Sequence, residues 1–522
     1  MTVSDLNIMR MPRRFGGGRS PVGLGVLGIA SAGVSVGLGA LVASEHYSKV
    51  VEGLLVFIAL VMLISRFGLG IWLALLVLGS IDALPGSELE TIETPLLHIY
   101  VTDTLIVVLI LTLLADNYRD DFRRLVDTPV RRMLCMWSGA LVLLWLVTVA
   151  RSYGWAEIPL THAMDFGRDF LFFALLLPLF AATLSRARVR LVMLATLAVG
   201  VVMVDVTEIL STVTHKALTF WVHAQKRTVE GAGITRLYVS SQYLSVAAAM
   251  LGVGLLLLAR DRRLRLLGAL LALLSIAAVA LERTRAQYVG GIVGLAVALI
   301  VWLAINRNAA RLSRRRVARL FLGLTTLGVV VALAGPPQIT NNALSGIEER
   351  FSSVITALSS NNSATSTVAY REKEASGLEQ VLGSKWAFGL GFLDPRSHYI
   401  VSLRRGSIRN GDVGVLNAVM TMGVIGAFLI YFPLVFILAG LIRRAASGLE
   451  PPHESWITFG VVAWIVSSLT SSVTLVSLFG APGLCIAALT LAIGTTCMTP
   501  ELADAKQRIA RRHALRAPQP AS

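Results

Sequence analysis

Six arginines, Arg350, Arg371, Arg396, Arg404, Arg405 and Arg409, fall in the one long polar interval of this chain, from Pro336 to Asp412. Arginine stays charged, and its planar fork matches phosphate oxygens, so such a set on one loop suits an anionic substrate. Two more, Arg283 and Arg285, crowd the short connection Leu281-Glu282-Arg283-Thr284-Arg285-Ala286-Gln287 between two apolar runs. Either they anchor helix ends by snorkelling, or they clamp a diphosphate; charges held at membrane depth tend to be functional. Arg371 lies three residues before Glu374, which suits an ion pair on its own helix as well as an anion. Arg404, Arg405 and Arg409 stand close to the next apolar run, where anionic lipid headgroups compete with a substrate for them. His398 and Asp412 are the candidate bases for taking a proton from a hydroxyl. Asp412 is equally placed to cap the helix that follows it, and a single loop histidine is commonly structural.

Two acidic features lie elsewhere. Asp205 and Glu208 are one turn apart near the end of an apolar helix, where they could bind a cation or proton or pair with arginines. Asp165 and Arg168 form a weaker pair at the start of another span. There is no metal-ligand spacing, Walker motif, dinucleotide fingerprint or D-x-D pattern, so no metal or cofactor is expected. Cys135, Cys485 and Cys497 are scattered through apolar segments and read as small buried hydrophobes.

The elements that must carry these residues are membrane spans. The chain is 55% hydrophobic and 15% charged, with a mean hydropathy of +0.71; soluble domains carry about a quarter charged residues. Apolar runs of about 20 residues, the length needed to cross a bilayer, recur throughout. About fourteen are expected, near 22–43, 50–65, 67–83, 97–115, 133–150, 168–185, 189–210, 239–259, 264–281, 287–305, 319–335, 412–441, 456–476 and 479–497. The pair joined at Arg66-Phe67-Gly68 is the shortest, which leaves the count at about 12–14. The fold class is therefore all-α, a polytopic helical bundle. It divides into helices over 1–335, a large loop over 336–411, more helices over 412–497 and a basic tail over 498–522.

Basic residues orient it. With the N-terminus inside, Arg119–Arg132, Arg186–Arg190, Arg260–Arg265, Arg307–Arg319 and the tail all fall on the cytoplasmic side. The N-terminal run from Val22 to Ala43 is too long for a signal peptide and reads as an uncleaved span. Positive-inside bias accounts for the net charge of +16, and no basic cluster is interleaved with base-stacking aromatics. Nucleic acid is thus excluded as a partner. The exceptions are Arg283, Arg285 and the loop arginines, which lie on the side that the bias depletes. Within the loop, Leu344, Ile347, Phe351, Val354 and Leu358 predict an amphipathic helix, and a second is expected over about 367–382, ended by the glycines of Gly383–Gly391.

This layout resembles the O-antigen ligase and O-antigen/exopolysaccharide polymerase superfamily of bacterial inner-membrane glycosyltransferases. Three patterns carry the resemblance. Leu281-Glu282-Arg283-Thr284-Arg285-Ala286 is similar to the family's arginine turn between two spans; Tyr370-Arg371 precedes the Gly-x-Gly turn Trp386-Ala387-Phe388-Gly389-Leu390-Gly391; and Asp412-Val413-Gly414 leads to Gly423-Val424-Ile425-Gly426 on the re-entry helix. Where ligases of the family show His-Asn about a dozen residues before that glycine pair, this chain has Asp412, which favours the polymerase branch.

The resemblance implies a GT-C-like bundle at the inner membrane, with both termini cytoplasmic and the site facing the periplasm. It implies metal-independent, inverting transfer from an undecaprenyl-diphosphate-linked oligosaccharide to an acceptor glycan, beside membrane lipids and with a chain-length regulator or export machinery as partner. Arg285, Arg371 and Arg283, with Arg404, Arg405 and Arg409, would hold the diphosphate, and Asp412 or His398 would serve the acceptor. A ligase, a lipid-linked glycan flippase and a peptidoglycan polymerase are the competing expectations. A flippase would need a polar path through the spans, and apart from Asp205 and Glu208 their interiors hold few charges.

Overall fold

The computed structural model describes residues 68–80, 126–155, 158–214, 242–282, 285–305, 376–392, 414–446, 455–473 and 481–498, with 92–93, 98–99, 106, 109–110, 224–229 and 234–239. The expected spans near 22–43, 50–65 and 319–335 lie outside these residues. So do the helix expected around Leu344–Leu358 and most of the large loop.

Ten helices occupy the expected spans. They are α1 (Leu69–Ser80), α2 (Pro129–Trp155), α3 (Leu160–Thr183), α4 (Ala187–Thr214), α5 (Gln242–Leu258), α6 (Arg262–Glu282), α7 (Arg285–Ile305), α8 (Gly414–Ala446), α9 (Ser455–Ser471) and α10 (Ala481–Met498). Among the described residues, six helices are long and apolar enough to cross a membrane, and four shorter apolar ones accompany them. Leu143, Val199, Ile292, Ile300 and Val435 are exposed on these helices. Apolar side chains turned outward all along such helices suit a hydrocarbon solvent, in which every backbone group must be satisfied within the helix.

The departures from all-α are two antiparallel ladders, β1 (Ile92–Glu93) with β2 (His98–Ile99) and β3 (Ala224–Val229) with β4 (Ile234–Val239). The second pairs Ala224 with Val239 and Val229 with Ile234, and β4 adjoins α4 and α6. The sequence between the strands, Glu230-Gly231-Ala232-Gly233, carries two glycines.

Neighbouring helices meet on small residues. Gly252 of α5 faces Gly268 and Ala272 of α6, while Gly290 and Gly294 of α7 lie against Ala463 and Ser467 of α9. Lipid offers no hydrophobic drive for association, so close backbone approach across such small-residue seams supplies the attraction. A Cβ on Gly294 would run into the Ala463 carbonyl and the Ser467 amide. Gly294→Leu is expected to part α7 from α9 and lower the melting temperature in detergent. An unchanged melting curve would refute that seam.

α8 is the longest helix among the described residues, at 33 residues, and it carries an internal proline and one non-helical residue. Pro433 lies inside it and has no N–H for the Leu429 carbonyl. Trp137 of α2 supplies the missing donor, its indole Nε1 donating to that carbonyl at 2.6 Å while its ring stacks on Phe432 at 4.8 Å. The helix is broken at Gly423, which has φ 73° and ψ −176°.

Candidate functional site

The break at Gly423 is filled by the end of the large loop. A short helix over 376–382 closes where the Gly383 N–H donates to the Glu379 carbonyl, with Gly383 at φ 52°. The chain then turns through Trp386–Phe392 and inserts against α8. In an uninterrupted helix the Val424 and Ile425 N–H groups would donate to the Met420 and Thr421 carbonyls. Here all four groups are taken by the turn. Leu390 N–H donates to the Met420 carbonyl (2.7 Å) and Gly391 N–H to that of Thr421 (3.0 Å). Val424 N–H donates to the Trp386 carbonyl (2.8 Å) and Ile425 N–H to that of Ala387 (3.3 Å). Two helix hydrogen bonds are exchanged for four.

Glycine is required at this junction. Gly389, Gly391 and Gly423 all have positive φ, and a Cβ on Gly423 would overlap the Ala387 carbonyl. Gly391 lies equally close to Ser152 at the end of α2.

That end of α2 fastens the turn from the other side. Arg151 donates through Nη2 to the Gly389 carbonyl at 2.6 Å and its guanidinium lies 5.8 Å from the centre of the Phe388 ring. The Ser152 hydroxyl accepts from the Phe392 N–H at 2.6 Å and itself donates to the Thr148 carbonyl. Phe392 is buried beside Gly167 of α3, whose carbonyl accepts from the Trp145 indole at 2.8 Å. Three helices and one loop turn therefore form a single block.

Arg285 is the first residue of α7, three positions after α6 ends at Glu282. The Tyr288 hydroxyl bridges back to the Ala280 carbonyl across this connection. Arg283, Arg371, Arg396, Arg404, Arg405, Arg409, His398 and Asp412 lie outside the described residues.

The acidic pair is buried within the bundle. Asp205 is fully buried and accepts hydrogen bonds from Ser245 of α5 and Ser275 of α6, each at 2.6 Å. Glu208 is buried one turn on. An apolar cavity reaches Val201, Leu244 and Leu271, next to these three residues, and is closed on its other sides by Trp464, Leu194 and Ile486. The sequence left Asp205 open to a cation, a proton or an arginine partner; these two hydrogen bonds are to serine hydroxyls from two neighbouring helices. Arg168 sets its guanidinium 5.1 Å from the Phe172 ring centre.

Sequence reasoning missed Arg151 and Ser152. An arginine near the end of an apolar run reads as an interface anchor, and only its loop partner marks it as more. The missed β3–β4 hairpin did carry a signal, the glycines between two short runs.

These features define a helical membrane protein with a loop element built into its bundle. No family model and no curated protein matches the chain.

Proposed function

We propose that this protein polymerises undecaprenyl-diphosphate-linked oligosaccharides into a surface polysaccharide by inverting glycosyl transfer on the periplasmic face of a bacterial inner membrane. The observation that carries this is the insertion of the Trp386–Phe392 turn into α8 at Gly423. It ties one segment of the large loop, Trp386–Phe392, to the bundle next to α2. A reaction that moves a lipid-borne group onto a water-borne one needs such a fixed platform at the membrane edge, because positioning supplies much of the rate.

In the proposed step an acceptor hydroxyl attacks the anomeric carbon of the donor sugar. The bond from that carbon to the diphosphate oxygen breaks, and its electron pair leaves on the diphosphate. Arg285, Arg371 and Arg283 stabilise that developing charge, with Arg404, Arg405 and Arg409 at the loop's end. Asp412 or His398 takes the acceptor proton. No metal or cofactor enters the step. A chain-length regulator is the expected partner, and a ligase differs only in the acceptor.

One observation favours a second reading, a flippase for the same lipid: the buried Asp205–Ser245–Ser275 group beside Glu208 is a polar feature within the spans. Purified protein supplied with native undecaprenyl-diphosphate oligosaccharide in EDTA separates the two. A ladder of longer lipid-linked glycans is expected, falling about 10²–10³-fold in Arg285→Ala and in Asp412→Ala. Translocation in proteoliposomes with no covalent product would instead make this a transporter.

A further inference from the structure

Gln287 of α7 is 4% exposed. Neither its Oε1 nor its Nε2 has a hydrogen-bond partner among the described residues. A buried amide with both ends unmet is costly, because its desolvation is not repaid. Its described neighbours do not meet it. One turn on, Gly290 and Gly291 face Ser467, Ser471 and the Met250 methyl. Ser471 and Ser472 donate to the Ser468 carbonyl of their own helix.

The position of this amide indicates what it awaits. The Cα–Cβ bonds of a helix tilt toward its N-terminus, and Gln287 stands in the opening turn of the 21-residue α7. That turn begins at Arg285, and the first N–H groups and positive dipole end of a helix attract anions. We infer that Gln287 is a specificity-determining residue that hydrogen-bonds the sugar attached directly to the lipid diphosphate. This rests on the proposed glycan-transfer function.

The chemistry narrows the partner. An amide offers one acceptor and a donor pair, so its complement is a neutral group that both donates and accepts, such as a sugar hydroxyl or acylamino group. Two residues along a helix are about 3 Å of rise, so that group lies close to the phosphate held at the helix start. In a glycosyl diphosphate lipid the diphosphate has two neighbours. The polyprenyl chain offers no hydrogen bond, which leaves the first sugar.

The test compares wild type, Gln287→Leu and Gln287→Met, as full-length protein in detergent, by thermal shift. The probes are undecaprenyl phosphate, undecaprenyl diphosphate and native lipid-linked oligosaccharide. Without ligand, both variants are expected to melt at or above the wild-type temperature, since an unmet polar group is gone. The oligosaccharide lipid should bind them about tenfold more weakly, with undecaprenyl diphosphate affinity unchanged. Equal affinity of all three proteins for the oligosaccharide lipid overturns the inference, as does a lower melting temperature in both variants, which marks a structural amide. If no lipid stabilises even the wild type, the proposed substrate class falls first and the inference falls with it. A weaker response to undecaprenyl diphosphate as well would make Gln287 a phosphate contact, which also overturns the assignment to the sugar.

Discussion

Gly423→Ala is expected to release the Trp386–Phe392 turn from α8 and to reduce glycan transfer about a hundredfold or more, the scale of a 1 Å misplacement. The backbone alone opposes the substitution. At φ 73° and ψ −176° Gly423 occupies a region that is essentially closed to residues with a Cβ, at a cost of about 1–3 kcal/mol. The new methyl would also overlap the Ala387 carbonyl. Straightening α8 relieves both problems, because Val424 and Ile425 can then donate to the Met420 and Thr421 carbonyls in the ordinary helical pattern. The turn's own groups, those of Trp386, Ala387, Leu390 and Gly391, are left for water. The native arrangement gains four hydrogen bonds and the straight helix only two, so the turn wins until a Cβ is present. Cysteine labelling reads the outcome. Leu390 is fully buried in the inserted turn. In a background with Cys135, Cys485 and Cys497 replaced, Leu390→Cys should resist a thiol reagent with Gly423 and react quickly with Gly423→Ala. Gly139→Ala is the control, since a Cβ there meets open space. Slow labelling of Leu390→Cys in both backgrounds would show that the helix break does not depend on glycine.

The spans were legible in the sequence because their signal is local: a run of about 20 apolar residues bounded by charge needs no partner to be recognised. The stop at Gly383 and the turn at Gly389 and Gly391 were legible as glycine patterns for the same reason, whereas Gly423 reads as part of a continuous helix and its break was not foreseen. What could not be read was their meeting. Leu390 and Met420 are thirty residues apart, and nothing in either segment names the other. Pro433 announces a kink, but its compensation by Trp137 comes from a helix almost three hundred residues earlier. Arg151 fails for a related cause. Its chemistry is set by a backbone carbonyl at Gly389, and a carbonyl leaves no trace in a sequence. Of the candidate site, Arg285 was expected between two spans and heads α7, while the loop arginines, His398 and Asp412 lie outside the described residues. Asp205 was visible as an acid in an apolar helix. Its serine partners were not, because Ser245 and Ser275 look like the small residues that any helix seam would use.

Asp205→Ala is expected to be among the most destabilising single changes in the bundle, and Asp205→Asn among the most informative. The carboxylate joins α4 to α5 and α6 through two hydroxyls at 2.6 Å, all three residues being fully buried. Interhelical bonds within membranes average about 0.6 kcal/mol and reach about 1.7 kcal/mol. Alanine removes both and leaves two buried hydroxyls without their acceptor, so a loss of about 1–3 kcal/mol is expected, measured as urea or thermal unfolding in detergent. Asparagine keeps the shape. Its Oδ1 accepts from one serine and its Nδ2 donates to the other, which needs only a rotation of one hydroxyl. Stability should then stay within about 1 kcal/mol of wild type. Function decides between the two readings of this group. If Asp205 is a structural clasp in a transferase, Asp205→Asn retains near-wild-type glycan transfer while Asp205→Ala loses it along with the fold. If Asp205 carries a proton or cation for a flippase, asparagine abolishes lipid translocation at unchanged stability, since the amide can neither bind and release a proton nor balance a cation. Full transfer activity in Asp205→Asn would therefore free this buried acid from the chemistry and leave the clasp between α4, α5 and α6 as its role.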